Sequence, residues 1–530
     1  MKNRFIFLSS CLLSAMLLFS CKDNNKESEE KTTEVTTQSD TDFRPAFHFT
    51  PEENWMNDPN GMFFLNGTYH LFFQYYPDGN TWGPMHWGHA TSKDLIKWEE
   101  KPIALEPDEQ GYIFSGSAVV DTENTSGFGD GKTPPVIAMF TYHDPKGEEE
   151  GRDDYQTQAI AYSLDEGKTF TKYEGNPVIE NPGIRDFRDP KITRDEVHDQ
   201  WVMVLSANDQ TMFYTSQNLK DWKLVSEFGR GIGAHGGVWE CPDFIHMKVE
   251  GSDQKKWVLI QSLNPGGFNG GSGTQYFVGE FDGKTFTLDE SMKDLSEDHN
   301  YWLDFGKDNY AGVTWTNIPE EDGRHLFMGW MSNWQYANEV PTETWRSAMT
   351  IARELKLTKT GETYRIVSTP VAELQKYKGQ KFTKNSIAVE GKTQIANSED
   401  IDLSQSVISF EIEDLKDQEY DFSLTSGGDD VLKFGYDHKA EKFYIDRSNS
   451  GLTGFNENFG DKISTAPRLS DDSNLEVKAV LDNMSIELFF DNGKTVMTEI
   501  FFPEQPINSF TAEGNDFSIK NLTINEVKLN

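Results

Sequence analysis

The chain has 530 residues, more than a single hydrophobic core usually serves, so two domains are expected. Its formal charge of −38 repels phosphate backbones and polyanionic glycans, and no basic cluster offsets it, which argues against nucleic acid as a partner. A neutral substrate fits such a surface, and an aromatic content of 13%, most of it needed for core filling, leaves flat faces on which sugar rings pack.

Residues 1–20 carry Lys2 and Arg4 and then an apolar run over 5–19, a signal-peptide layout too short for a membrane span of ~20 residues. The run ends Leu18-Phe19-Ser20-Cys21, which resembles a bacterial lipoprotein cleavage site with Cys21 as the lipidated new N-terminus, although Phe19 is bulkier than is usual there. In the alternative, Cys21 is an ordinary residue of a secretory leader. Loss of Lys2 and Arg4 takes the formal charge to −40. Cys11 leaves with the leader and Cys21 is acylated, so Cys241 stands alone and no disulfide forms within the mature chain. Residues 21–42 are polar, lack apolar periodicity and read as a flexible tether. The expected address is an exported lipoprotein held at a membrane, at the cell surface or in the periplasm.

From 43 to 366 the chain reads as all-β. Residues 61–65 and 68–75 form two strands around Asn66-Gly67, the dipeptide that most favours a two-residue hairpin turn. Comparable pairs follow at 115–120 with 136–142, 191–193 with 201–205, 244–247 with 257–260, and 311–315 with 326–330. A weaker echo lies between them, at Ser92 to Trp98, Ser163 to Phe170, Ser216 to Trp222 and Phe281 to Phe286. Five such units with variable loops predict a five-bladed β-propeller. Three hairpins are preceded by an acid and a proline: Asn57-Asp58-Pro59, Arg188-Asp189-Pro190 and Glu240-Cys241-Pro242. The acids are expected at corresponding places in three copies of the unit, where radial repetition makes them converge. Carboxylates gathered in one pocket are what glycoside hydrolysis uses.

Residues 367–385, with a short helical or irregular stretch at 370–377, are expected to be a linker. Beyond it, 386–530 holds eight segments that mostly alternate apolar and polar residues, with turn signals such as Asp491-Asn492-Gly493. That pattern predicts a β-sandwich, with a packing role favoured over a carbohydrate-contacting one.

Four signatures in order, Trp55-Met-Asn-Asp-Pro-Asn-Gly61, Phe114-Ser-Gly-Ser117, Phe187-Arg-Asp-Pro190 and Glu240-Cys-Pro242, resemble glycoside hydrolase family 32, the invertase, inulinase and levanase family. The stretch Leu481 to Phe490 is similar to the family's sandwich domain. The resemblance implies a retaining β-fructofuranosidase acting on fructans such as levan or inulin, or on sucrose. It implies that Asp58 is the nucleophile at C2 of the fructosyl unit, Glu240 the acid/base and Asp189 the residue that holds ring hydroxyls. A retaining pair stands ~5–5.5 Å apart, and Glu240 must hold a proton at working pH, with Asp58 and Asp189 supplying the repulsion that keeps it there. Asn57, Gln74, Trp82, Phe114, Ser115 and Arg188 match family positions that line the fructose pocket. Arg188 is open to two readings, a hydrogen bond to substrate or a structural ion pair. Tyr76 stands where many members have Asn, which puts contacts near that rim in question.

No cofactor is implied. His86 and His89 fall on opposite faces of a strand and have no further ligands nearby, which argues against zinc. The glycine-rich segment 265–273 lacks the lysine and helix of a phosphate loop and reads as a mobile loop near the rim. Cys241 reads as a buried spacer. Two other functions stay open: a surface fructan-binding protein without turnover, and an inverting five-bladed arabinosidase or xylosidase, which would hold its carboxylates ~6.5–9.5 Å apart.

Overall fold

A computed structural model describes residues 43–293 and 299–529. The leader, Cys21 and the tether therefore lie outside the described residues. Five antiparallel sheets follow one another along the chain. The first contains β1 (Asn54–Leu65), β2 (Thr68–Tyr76), β3 (His86–Ser92) and β4 (Trp98–Leu105), and the second β5 (Tyr112–Val120), β6 (Val136–His143), β7 (Gln156–Ser163) and β8 (Thr171–Lys172). The third comprises β9 (Phe187–Asp195), β10 (Gln200–Ala207), β11 (Gln210–Ser216) and β12 (Lys223–Phe228), and the fourth β13 (Val238–Lys248), β14 (Lys255–Asn264), β15 (Gly273–Phe281) and β16 (Phe286–Leu288). The fifth is built from β17 (Tyr310–Thr314) and β18 (His325–Met331), then, beyond β19 (Trp345–Arg346) and β20 (Ala348–Met349), from β21 (Arg353–Thr360) and β22 (Thr363–Pro370).

The first strands touch in a closed cycle, β1 to β5 to β9 to β13 to β17 and back to β1, which makes the five sheets blades around one axis. β19 seals the ring by pairing in parallel with β1, Asn54 opposite Trp345 and Trp55 opposite Arg346. The second strands are apolar along both faces because each lies between two neighbouring blades; all eight residues of β6 are buried. The echo motifs are the turns from third to fourth strand. In two of them a serine hydroxyl accepts the N–H three residues on, Leu95 to Ser92 at 2.8 Å and Leu219 to Ser216 at 2.9 Å, and the indole N–H of Trp98 or Trp222 closes the turn on that leucine's carbonyl at 3.1 Å. Beneath the site, the buried ammonium of Lys191 on β9 reaches Asp243 of β13 at 3.1 Å and the carbonyl of Thr314 on β17 at 2.6 Å, tying three blades together.

The second region contains β23 (Lys378–Asn397), β24 (Ser406–Ile412), β25 (Glu419–Ser426), β26 (Val431–Asp437), β27 (Lys442–Asn449), β28 (Ser464–Pro467), β29 (Leu475–Asp482), β30 (Ser485–Phe490), β31 (Thr495–Ile500) and β32 (Ile507–Val527). The paired strands β23 and β32 run through both layers of a sandwich: one half of β32 lies beside β24, the other beside β25. They cross between layers where Gly391 faces Gly514, and Gly391 sits at φ +64, a conformation that suits glycine. Phe443 of one layer stacks on Phe490 of the other, centroids 3.9 Å apart.

The expected linker 367–385 is largely strand. β22 runs to Pro370, a short 3₁₀ turn covers Ala372–Tyr377, and β23 begins at Lys378. β23 escaped notice because its first half is exposed and rich in lysine, so it lacks the alternation that marks a half-buried strand. The two domains are joined by more than this connection. Phe305 N–H donates to the carbonyl of Val496 at 2.8 Å and Asp308 N–H to that of Thr498 at 3.1 Å, so the approach to blade five pairs with β31.

Candidate active site

Each of the five axial strands breaks its ladder with a bulge near the same end of the propeller. The register shifts fall between Phe114 and Gly116 on β5, Arg188 and Lys191 on β9, Glu240 and Asp243 on β13, and Tyr310 and Val313 on β17, while β1 carries two, after Met56 and after Asn60. A bulge inserts one residue, bends the strand and re-aims a side chain. Here it turns Asp58, Ser115, Asp189, Glu240 and Tyr310 toward the axis.

The register corrects one expectation. The three acids do not occupy the same place in their units: Glu240 matches Arg188 and Tyr310 as the last paired residue before the bulge, whereas Asp189 matches Cys241 and Ala311 just inside it. Asp189, Cys241 and Ala311 all have positive φ, at 67°, 45° and 53°. Asp58 belongs to the extra bulge of β1. Convergence survives because the axis is narrow, so neighbouring register positions open onto the same space.

That space is a cavity of ≈ 250 Å³ lined by Asn57, Asp58, Gln74, Trp82, Phe114, Ser115, Arg188, Asp189 and Glu240, together with His143, Glu148, Tyr155, Gln156, Asp186 and Trp334. It lies below the range of about 300–1,000 Å³ usual for drug-sized ligands, a size suited to one sugar unit. All nine residues singled out in the sequence for catalysis or substrate contact line it.

Asp58 is held by three donors. The Asn57 amide reaches Oδ1 at 3.0 Å, while the Ser115 hydroxyl at 2.8 Å and the Cys241 thiol at 3.3 Å both reach Oδ2. Asn57 is itself fixed by the Trp55 indole N–H, which donates to its Oδ1 at 2.8 Å. Burial, with the charge of Glu240 added, pushes the Asp58 carboxyl above the usual carboxylate range against those three hydrogen bonds. Asp189 receives the Cys241 N–H at 3.0 Å, and burial raises its pKa to about 7, opposed by the charge of Arg188 and reinforced by Glu240 and Asp58. Burial and mutual repulsion thus work against ionising Asp58 and Asp189 together.

Arg188 reaches Glu240 Oε1 at 2.9 Å and Asp186 Oδ1 at 2.6 Å. It forms the ion pairs of the one reading and lines the pocket, where the other reading would use it. Burial disfavours its charge, but Glu240, Asp189 and Asp186 outweigh that and hold it firmly protonated. The Tyr310 hydroxyl donates to Glu240 Oε2, and burial together with the Glu240 charge pushes its pKa well up, so it stays a donor. Cys241 is likewise pushed up by burial and by the carboxylates around it; it is a thiol pressed between Asp58 and Asp189, more than a spacer.

The walls are apolar and aromatic. Phe114 stacks on His143 at 4.3 Å and meets Trp82 edge-on at 6.1 Å; Trp82 is 40% exposed. Gln74 lines the pocket, and its buried amide nitrogen has no protein partner. Tyr76 does not line the cavity. Its ring lies under the loop that carries Trp82, so close that a Cβ on Gly83 would stand 2.6 Å from it.

Sequence reasoning missed Tyr310, which backs Glu240, and the lining residues Glu148 and Trp334. Tyr310 begins the fifth hairpin one residue before the expected start, with neither acid nor proline to mark it. Glu148 sits on α1 (Pro145–Glu149), a helix in the β6–β7 connection, and pairs with His143 Nε2 at 3.1 Å. Trp334 lies on an irregular loop and stacks on Trp55 at 5.9 Å. The glycine-rich loop 265–273 is tied down: the Asn269 amide donates to the carbonyls of Phe305 and Thr465, and Ser272 Oγ accepts the Trp334 N–H at 3.1 Å.

A five-bladed propeller whose axial strands gather three carboxylates over a sugar-sized pocket, followed by a β-sandwich, defines a glycoside hydrolase. Residues 48–370 match Glycosyl hydrolases family 32 N-terminal domain and residues 373–526 match Glycosyl hydrolases family 32 C terminal. The chain belongs to glycosyl hydrolase family 32. It is 47% identical over 494 residues to a levanase of Bacillus subtilis (strain 168), covering 92% of this chain and 71% of that one. Among solved structures, the exo-inulinase of Aspergillus awamori superposes with a TM-score of 0.83 at 38% identity, covering 92% of this chain and 98% of the other. The fructofuranosidase of Schwanniomyces occidentalis complexed with fructose does so with a TM-score of 0.81 at 34% identity, covering 93% and 100%.

Proposed function

We propose that the protein cleaves β-fructofuranosidic bonds in fructans such as levan or inulin, or in sucrose, with retention through a fructosyl-enzyme intermediate. The observation that carries the reading is the convergence of Asp58, Asp189 and Glu240 on one cavity in a family 32 chain. Asp58 is the nucleophile. Two donors occupy its Oδ2, and Oδ1, with the single Asn57 contact, attacks C2. As the C2–Oδ1 bond forms, the glycosidic C2–O bond breaks and Glu240 gives its proton to the departing oxygen. In the second step Glu240 takes a proton from water, the water oxygen bonds to C2, and Asp58 is released.

Asp189 accepts hydrogen bonds from ring hydroxyls, and Gln74 and Ser115 add polar contacts; Trp82 and Phe114 supply apolar walls. The chain is exported and held at a membrane through a lipid on Cys21, a reading supported by Lys2, Arg4, the apolar run over 5–19 and the polar stretch that follows. Labelling with a radioactive fatty acid tests it, since Cys21→Ala must lose the label.

Incubation of protein lacking residues 1–21 with levan, inulin and sucrose, with products resolved by chain length, tests the reaction. Sugar release by the wild type and its loss in Asp58→Asn are expected. No release by either would leave a fructan-binding protein as the better reading.

A further inference from the structure

The aromatic wall of the pocket is held in place from the other domain. Trp334 sits on the connection between β18 and β19, and the two residues after it are both gripped by the β-sandwich. The amide of Asn456, in the β27–β28 connection, donates to the carbonyl of Gln335 at 3.2 Å and to Glu339 Oε1 at 2.9 Å. Arg447 of β27 donates to the Tyr336 hydroxyl at 2.7 Å, and that hydroxyl donates in turn to Asp308 at 2.5 Å. Phe459 meets the Tyr336 ring edge-on at 5.1 Å. The same connection reaches a second lining residue, where Asn338 Oδ1 accepts the Trp82 N–H at 2.9 Å. Trp334 thus lies on one irregular segment and Trp82, on the β2–β3 loop, is hydrogen-bonded to it; that segment has no strand pairing of its own around Trp334.

We propose that Asn456 and Arg447 of the sandwich are positioning residues for substrate binding: they set the placement of Trp334, and through Asn338 of Trp82, against the sugar. This rests on the reaction assigned above and assigns the second domain a part in it beyond packing. A side chain that only stabilises the fold would leave the affinity of folded protein untouched. One that places a pocket wall changes KM, because small misplacements of contact groups weaken binding.

The test uses the full chain and compares wild type, Asn456→Ala and Tyr336→Phe on a fructan oligosaccharide. Tyr336→Phe removes only the hydroxyl that Arg447 holds and serves if Asn456→Ala fails to fold. Each is expected to raise KM about threefold to tenfold, the loss of one or two hydrogen bonds, with kcat held within about twofold. In a Trp334→Ala background the effect of Asn456→Ala on KM must vanish, because the residue it places is gone. An unchanged KM, or an equal effect with and without Trp334, would overturn the proposal. If the wild type released no sugar, the reaction itself would fall, and the wall would still be read from acrylamide quenching of tryptophan fluorescence. Quenching that rises in Asn456→Ala, and does not rise when Trp334 is replaced by Phe, supports the coupling; quenching equal to wild type overturns it.

Discussion

Ser115→Ala isolates the electrostatic poise of the nucleophile. The Ser115 hydroxyl is one of two donors on Asp58 Oδ2, at 2.8 Å, inside a site where burial and Glu240 already press the carboxyl toward its protonated form. A hydrogen bond to a charged group contributes about 1.5–3 kcal/mol, and one pKa unit corresponds to about 1.4 kcal/mol. Removing the donor disfavours the carboxylate, so the Asp58 pKa rises further. Attack needs the carboxylate, and the acid side of the kcat/KM profile reports its ionisation in the free enzyme. That limb is expected to move to higher pH by about one to two pH units in Ser115→Ala. Initial rates of fructose release across the acid range, at substrate well below KM, measure it. A uniform drop in rate with the acid limb unmoved would refute the reasoning and leave Ser115 as a contact for substrate alone.

Cys241 is buried and held as a thiol, so a disulfide reagent is expected to leave it untouched in native protein and to modify it on unfolding; rapid reaction in the native state would contradict its placement between Asp58 and Asp189. Arg353 is buried between Asp304, at 2.8 Å, and Glu487 of the sandwich, so Arg353→Met leaves Asp304 without its cation and Glu487 with His48 alone, and is expected to cost about 3–5 kcal/mol in a denaturation experiment, whereas an unchanged midpoint would deny that the pair joins the domains. Burial pulls the pKa of His48 down, but hydrogen bonds and charges from Asp482 and Glu487 outweigh it and raise it to about 9 from 6.5. The folded pKa lies above the unfolded one, so the contribution, about 3 kcal/mol, is fully present below pH 6.5 and lost as pH rises through about 9. Melting temperatures should fall over that window in the wild type and lose that component of the slope in His48→Gln.

The blades were legible because hairpins leave local marks: Asn66-Gly67 fixes a turn, and the serine-to-tryptophan echo fixes the next one through a hydroxyl cap and an indole hydrogen bond that involve near neighbours only. The acids were legible through the prolines beside them. Their register was not, because a bulge shifts a strand by one residue without any composition of its own, and the eye aligns Glu240 with Asp189 when the ladder aligns it with Arg188. Tyr310 and Trp334 stayed hidden because their roles depend on contacts across the axis and across the domain boundary. β23 stayed hidden because its exposed lysines carry no pattern that separates a solvated strand from a linker.

The central claim is that Asp58 becomes bonded to the sugar, and it is tested most directly by trapping that bond. Glu240→Gln cannot supply a proton or activate water, yet a substrate with a good leaving group needs no proton for the first step, so the fructosyl-enzyme should accumulate. Acid quenching, proteolysis and mass spectrometry of the peptides are expected to find the one containing Asp58 heavier by a single hexosyl unit, and Asp58→Asn in the same background to abolish it. A hexosyl unit on Asp189, or release of the leaving group with no modified peptide, would contradict the account.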